Sequence, residues 1–297
     1  WDFYKDFRDR QKGGAEMKKR RERIYKIAVV IFLLLVALIS LTPFIYLLVT
    51  SLVGDMSLVF KNGIALKIRA EMLTINNYKM LFTDNGGIFF HWFKNSVIIT
   101  LLFTVLSITF SSMVGYGVGM YRFKGRKILL VLIMSTMMIP IETLMIPLYN
   151  EMRSMNLLNT YLGVVLPFAV SAFTIYFFLQ FTESLSHDFM DAARIDGCGE
   201  IGIFVRIMVP LMKPAYASML ILQATTEWND FLWPLIVMSK NENFTLTVGL
   251  QTYLSPYGNN YNLLFAGAVL SVIPVMILFF TSQKLFMEGM IAGGIKG

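Results

Sequence analysis

Long uncharged runs alternate with short polar interruptions along this 297-residue chain. Segments 27–53 and 95–121 carry no charged side chain, 128–149 carries only Glu142, and 160–181 carries none. Segment 213–238 is interrupted by Glu227 and Asp230, and 263–283 is again uncharged. A helix crosses the hydrocarbon core with roughly 20 apolar residues, so each run is long enough to span. Strands of a membrane barrel would alternate apolar and polar residues over about ten positions, which these runs do not do. The pattern predicts an all-α polytopic membrane protein with six transmembrane helices.

Between the fourth and fifth runs the pattern changes to that of a surface element, 191–210, DAARIDGCGEIGIFVRIMVP. Ser186 is placed to cap a short helix over 187–196 through its hydroxyl, with Phe189, Ala192, Ala193 and Ile195 as a partial apolar face. Gly197 can take a positive φ and end that helix. Ile201, Phe204, Val205 and Met208 form a second apolar stripe, and Pro210 and Pro214 restart the chain as a kinked span. The expected shape is an L.

Charge distribution orients the spans. Nineteen Lys and Arg fall in 1–26, 122–127, 182–213 and 284–297, and seven fall in the segments of the opposite side. The positive-inside bias predicts that both termini are cytoplasmic, with 54–94 an extracytoplasmic loop. The net charge of +7 therefore reflects topology and an N-terminal lipid-facing anchor, KKRRER at 18–23. The basic residues flank spans and form no groove-sized patch, which argues against nucleic-acid binding. Two His and one Cys leave little for metal or thiol chemistry and exclude an intramolecular disulfide framework. The basic start is followed by a run too long for a signal-peptide core. The L-shaped segment lies inside the cell on this topology, and 182–213 holds five acidic residues against three basic ones. An interfacial helix on lipid is normally rich in Lys and Arg, so a soluble protein partner is favoured over the bilayer surface.

The motif DAARIDG at 191–197, followed by VPLMKP at 209–214, resembles the EAA loop in the membrane subunits of ATP-binding-cassette (ABC) importers. TLMIPLYNEMRSMNLLNT at 143–160, EWNDFLWPLIVMS at 227–239, TLTVGLQTY at 245–253 and AGGIKG at 292–297 resemble carbohydrate permeases, in particular the smaller permease subunit of the maltose transporter. The resemblance covers about 24–297. Two departures stand out: Asp191 where the family usually has Glu, and Cys198 at a position commonly held by another small residue. The resemblance implies a type I ABC importer permease fold with a cytoplasmic coupling helix. It implies a chain divided into a basic N-terminal segment (1–26), a first transmembrane helix (27–53), an outer loop (54–94), a core permease domain (95–283) with the EAA coupling loop at 183–210, and a cytoplasmic tail (284–297).

The resemblance also implies partners: a second homologous permease, two ATPase subunits, an extracytoplasmic sugar-binding protein, a sugar substrate and membrane lipid. Asp191, Ala192, Ala193, Asp196, Gly197 and Phe204 would couple to the ATPase, and Gly293 and Gly294 would make a flexible tail reaching it. No P-loop pattern G-x-x-x-x-G-K-[ST] occurs in the chain, so ATP and Mg would be bound by the partner ATPase, and this subunit binds no cofactor and catalyses no covalent step. The setting would be the bacterial plasma (inner) membrane.

Charges inside spans usually face a cavity or partner. Glu142, between Pro140 and Pro147, either faces a translocation path or is solvated near the outer interface. Glu227, Trp228, Asn229 and Asp230 offer the aromatic and polar mix of a sugar path, although Trp228 and Trp233 also suit an interfacial aromatic belt. The turn-rich 251–261, with Tyr253, Ser255, Pro256, Tyr257 and Gly258, is a linker by composition and a binding-protein contact by resemblance. Gly115, Gly117 and Gly119 suit close helix approach better than a dinucleotide fingerprint. The alternatives are an importer of a glycerophosphate or uronate oligomer, and a proton-coupled secondary transporter working through Glu142. Spans two, four and six lack the Arg or Lys an anionic solute would want.

Overall fold

The computed structural model describes residues 2–56, 70–254 and 259–294, with side chains described between 21 and 283 within those limits. Residues 57–69 of the segment expected as an outer loop, the expected contact residues Ser255, Pro256, Tyr257 and Gly258, and 295–297 lie outside the described residues. Among the described residues the secondary structure is helical, apart from one isolated antiparallel bridge between Val53 and Leu73.

Three helices are individually long and apolar enough to span: α1 (Asp2–Ser51, apolar from about Arg21), α3 (Ile88–Met120) and the first part of α13 (Tyr261–Gly294). A small helix α2 (Asn76–Thr83) precedes α3. Three bent pairs, 126–136 with 141–154, 161–168 with 172–183 and 200–211 with 213–228, bring the candidate spans among the described residues to six when each pair counts as one. Helix α4 (Arg126–Thr136) meets 141–154, which ends in α5 (Met145–Ser154), at 91°. Pro140 explains this break. It has no N–H to donate and takes an extended conformation (φ −61°, ψ 128°), and a proline disfavours the helical region for the residue before it. Helix α6 (Tyr161–Val165) and its continuation to Phe168 meet α7 (Ala172–Glu183) at 49°. Ser171, extended at the junction, restarts the helix by accepting the Thr174 amide on its hydroxyl at 3.3 Å. The fifth run was expected as one helix over 213–238. It is instead α10 (Lys213–Trp228) followed, after a turn, by α11 (Leu232–Val237). A short helix α12 (Leu246–Gln251) precedes α13.

Helix α3 is the central post. Its small-residue face takes α7 at very close range: a Cβ on Gly115 would lie 2.7 Å from Phe178 Cβ and 2.8 Å from the Ile175 carbonyl, and one on Gly119 would lie 3.2 Å from Thr182 Cβ. The expected close approach therefore holds at Gly115 and Gly119, whereas Gly117 faces open space. The end of α1 is held by amide side chains. Asn77 donates to the Ser51 and Val53 carbonyls at 2.8 and 2.9 Å, and Asn262 to Val53 and Gly54 at 3.0 and 2.9 Å. By contrast α1 exposes its apolar surface from Ile24 to Ile45 on this chain alone, and α4 exposes Ile128, Val131 and Leu132.

Candidate coupling surface and substrate path

The L-shaped segment is built around α8 (Asp188–Ile195). Ser186 is one residue further from the helix than a formal cap. Its hydroxyl accepts the Asp188 amide at 3.2 Å and donates to the Asp188 carboxylate at 2.8 Å. The helix ends in a Schellman arrangement. The Cys198 amide donates to the Ala193 carbonyl at 2.9 Å, the Gly197 amide donates to Arg194 at 3.0 Å, and Gly197 has φ +80°. An L-residue is strained in that conformation even though a Cβ would meet nothing within 4 Å. The second arm is α9 (Glu200–Ile203), continued by a wide π turn Phe204–Met208. At Met212 the chain turns by 78° into α10, with Pro214 in its first turn.

The inward face matches the expected one at Ala193, Met208 and, in part, Phe204, and differs elsewhere. Met190 and Ala193 are buried on α8, and Ile203 and Met208 on the second arm, in a cluster with Tyr116, Phe178, Phe181 and Met212. Phe189 and Ile195 on α8, and Ile201 and Val205 on the second arm, point away. Ile195 is 86% and Ile201 82% exposed. The arms lie against α3 and α7, and that packing decides which apolar residues turn inward. Asp191, Ala192, Asp196 and Gly197 lie on the exposed side, Ala193 is buried, and Phe204 is half-buried with its ring centroid 5.0 Å from that of Tyr116. The exposed side of α8 is thus a small, acidic, Ala-containing knob with two large uncovered apolar residues at its rim.

A polar chain backs the knob. Arg194 donates to Asp191 Oδ1 at 3.2 Å and, in a fork, to Glu200 Oε1 and Oε2 at 3.0 and 3.3 Å. The Tyr121 hydroxyl donates to Glu200 Oε2. Burial, and then the bond to Glu200, raise the Tyr121 phenol above its ordinary range, so it remains a donor. Next to it, Arg126 donates through Nε to the Val118 carbonyl at 2.7 Å and pairs with Glu183 at 2.5 Å, tying together the ends of α3, α4 and α7.

The expected sugar-path residues are scattered. Glu142 is exposed in the turn at the α4–α5 elbow. Glu227 and Trp228 point into the chain, 8% and 6% exposed. The Trp228 indole donates to the Ser271 carbonyl at 3.0 Å and meets Phe93 edge-on, while Glu227 Oε1 has no hydrogen-bond partner among the described residues. Trp233 is 1% exposed, with its indole N–H on the Gly163 carbonyl at 3.1 Å. The belt reading of these two tryptophans is therefore corrected: both indoles find protein partners inside the bundle. Asn229 is exposed and Asp230 half-buried. A groove of about 400 Å³ lies beside Trp228 between α3, α10 and α13, lined by Val97, Leu220, Ala224, Val275, Thr100 and Thr104, and the two threonine hydroxyls have no hydrogen-bond partner among the described residues.

Tyr253, expected in an exposed contact loop, is instead buried in the same apolar cluster as Trp228. It is 8% exposed, edge-on to Trp92, and its hydroxyl donates to Asp84 at 3.1 Å. Burial, then the Asp84 charge, raise that phenol. Gly293 and Gly294, expected in a flexible tail, are the last residues of α13. Among the described residues no group of three His, Cys, Asp or Glu is arranged to hold a metal.

The helical architecture agrees with comparison to known proteins. Residues 107–291, more than half the chain, match the family "Binding-protein-dependent transport system inner membrane component". This chain belongs to that family. The arabinooligosaccharides transport system permease protein AraQ of Bacillus subtilis is 46% identical over 92% of this chain and 97% of its own length. The lactose transport system permease protein LacG of Rhizobium radiobacter is 33% identical over 94% of this chain and its full length. A solved chain of a bacterial ABC transporter involved in import of the acidic polysaccharide alginate superposes with a TM-score of 0.75 at 27% identity, covering 90% of this chain and 98% of that one. The chain is accordingly a membrane-embedded, non-catalytic transport component of an ABC importer.

Sequence reasoning on this permease passed over Glu200, Arg194 and Tyr121. The Arg194–Glu200 spacing across a glycine turn was a usable signal. Tyr121, 79 positions away from Glu200, carried none.

Proposed function

We propose that this permease moves a neutral di- or oligosaccharide inward across the bacterial plasma membrane, driven by ATP hydrolysis on partner subunits. It pairs with a second homologous permease, two ATPase subunits and an extracytoplasmic sugar-binding protein, with both its own termini in the cytoplasm. The observation that carries the coupling role is the acidic knob: Asp191 and Ala192 on α8, and Asp196 and Gly197 in the turn that ends it, are all exposed, while the other side of α8 is seated on α3 and α7. A surface of this charge repels anionic lipid and presents a compact shape to a protein cleft. Ala193 and Phe204 belong to the seat, and Gly197 to the hinge. Closure of the ATPases pushes the knob, the spans tilt, and the cavity between the two permeases opens outward to receive sugar. Such a switch requires that ATP and sugar bind the two states with different affinity.

The names of the relatives favour sugar as cargo: the AraQ proteins of Bacillus subtilis and Halalkalibacterium halodurans, at 46% and 44% identity, are arabinooligosaccharide permeases. Glu142, Glu227, Asn229 and Asp230 remain candidates for the path, with Trp228 as a buttress behind it. Tyr253 supports the outer loop, in which Ser255, Pro256, Tyr257 and Gly258 would meet the binding protein. Gly293 and Gly294 would carry the tail to the ATPase. The segments 1–26, 27–53, 54–94, 95–283 and 284–297 are the corresponding functional divisions. An acidic oligosaccharide is the second reading, favoured by the alginate-transporter likeness.

The test is reconstitution of the four-part complex in liposomes with ATP inside and sugar-loaded binding protein outside. Gly197→Pro replaces a φ of +80° with one near −65°. It should abolish uptake while the complex still inserts and assembles. Uptake equal to that of the unmodified complex would refute the coupling role of this loop.

A further inference from the structure

Along the exposed edge of the knob, four side chains form one bonded line, Asp191, Arg194, Glu200 and Tyr121. Apolar contacts of Met190 and Ala193 also join α8 to the bundle, but such contacts have no preferred direction and allow sliding. A forked guanidinium–carboxylate pair is directional and resists shear. Glu200 receives two donors from Arg194 and one from Tyr121, so it joins the two arms of the L and anchors both to the same point on the bundle. That point is a joint. Tyr121 is the C-terminal cap of α3, its oxygen lies 3.4 Å from that of Tyr116 in the last turns of the same helix, and α4 begins five residues later. The Arg126 contacts with Val118 and Glu183 clamp this joint to the end of α7.

We infer that Glu200 and Tyr121 are positioning residues that form a rigid strut between the knob and the cytoplasmic joint of α3, α4 and α7, and that this strut sets how much sugar moves per ATP hydrolysed. The inference rests on the coupling role proposed above. Displacement of α8 reaches α3 through the strut without being absorbed by the Gly197 turn. With the strut cut, the knob still docks and the ATPases still close, but part of the motion is lost in the hinge.

The experiment measures uptake and ATP hydrolysis on the same liposomes for Glu200→Gln, Tyr121→Phe and the double variant, with Gly197→Pro alongside. The strut predicts that each single variant lowers the sugar-to-ATP ratio by on the order of threefold, the scale of an exposed ion pair. The double variant should be no worse than either alone, because both cut one connection. An unchanged ratio in both single variants overturns the strut, as do losses that multiply in the double variant. Tyr121→Phe removes one oxygen and keeps the ring on Tyr116, so its ratio decides the matter if Glu200→Gln fails to assemble. If Gly197→Pro abolishes uptake while the strut variants keep a normal ratio, the strut alone is wrong. If Gly197→Pro also leaves uptake intact, the coupling reading falls with it.

Discussion

Gly115→Ala tests the central packing of the permease. The added Cβ would sit 2.7 Å from Phe178 Cβ, 2.8 Å from the Ile175 oxygen and 2.9 Å from the Leu179 nitrogen. Carbon contacts are comfortable at about 3.5–4.0 Å, and two of these three neighbours are backbone atoms that no rotamer change removes. Helix α7 must therefore retreat from α3 by most of an ångström, opening the contact along Phe178 and Thr182. Overpacking of this kind costs about 1–3 kcal/mol. Alanine also favours the helix over glycine by about 1 kcal/mol, so the raw effect is blunted. Gly117→Ala supplies the correction, since it has the same propensity gain and nothing within 4 Å of its Cβ. The difference between the two variants isolates the overlap. At about 2–4 °C per kcal/mol for a domain of this general size, Gly115→Ala should melt roughly 2–12 °C below Gly117→Ala. The assay is thermal unfolding of the detergent-solubilised complex, followed by intrinsic tryptophan fluorescence and by the monodisperse fraction after heating. Equal midpoints for the two variants would refute the close approach of α3 and α7.

Two further outcomes concern the asparagines that tie 239–244 to α3 and to the turn before α6. Asn95 donates to the Glu242 and Phe244 carbonyls at 2.8 and 3.0 Å and accepts from the Tyr161 hydroxyl at 2.7 Å. Asn95→Leu, which strands three part-buried partners, should cost about 1–3 kcal/mol in the same melting assay, and a change below the error of the midpoint would contradict the network. Asn159 has φ +59°, and its side-chain oxygen accepts the Ser239 and Lys240 amides at 2.6 and 3.0 Å. Asn159→Ala should lose more stability than Asn159→Gly, by about 1 kcal/mol, because glycine keeps the left-handed backbone while both lose the bonds; the reverse order would show that the turn relaxes.

Much of this permease is legible before folding is considered. Lipid excludes unpaired backbone groups, so six apolar runs of span length can only be helices, and Lys and Arg counts in short loops predict their direction. The glycine stop at Gly197 follows from local chemistry, since one residue's φ decides it. The faces of the helices are a different matter. A soluble helix shows which side is inside by its polar stripe, but a span is apolar toward lipid and protein alike. Leu101 and Phe103 read the same, yet Leu101 is 62% exposed and Phe103 5%. Trp228 and Trp233 were equally ambiguous until their indole N–H groups had the Ser271 and Gly163 carbonyls to meet.

What the linear chain determined is therefore whatever local rules govern: where helices span, where they stop, and the acidic character of the loop between the fourth and fifth spans. What only the tertiary structure decided depends on residues distant in sequence. The proline predicts a break after α4, but the 91° angle between the two segments it joins is a property of the folded chain. The inward set Met190, Ala193, Ile203 and Met208 depended on how α3 and α7 receive the L. The pairing of Glu200 with Tyr121 arises because folding brings the end of one span beneath the turn that begins another. Contacts of that kind are set by the geometry of the whole bundle, and no local pattern encodes them.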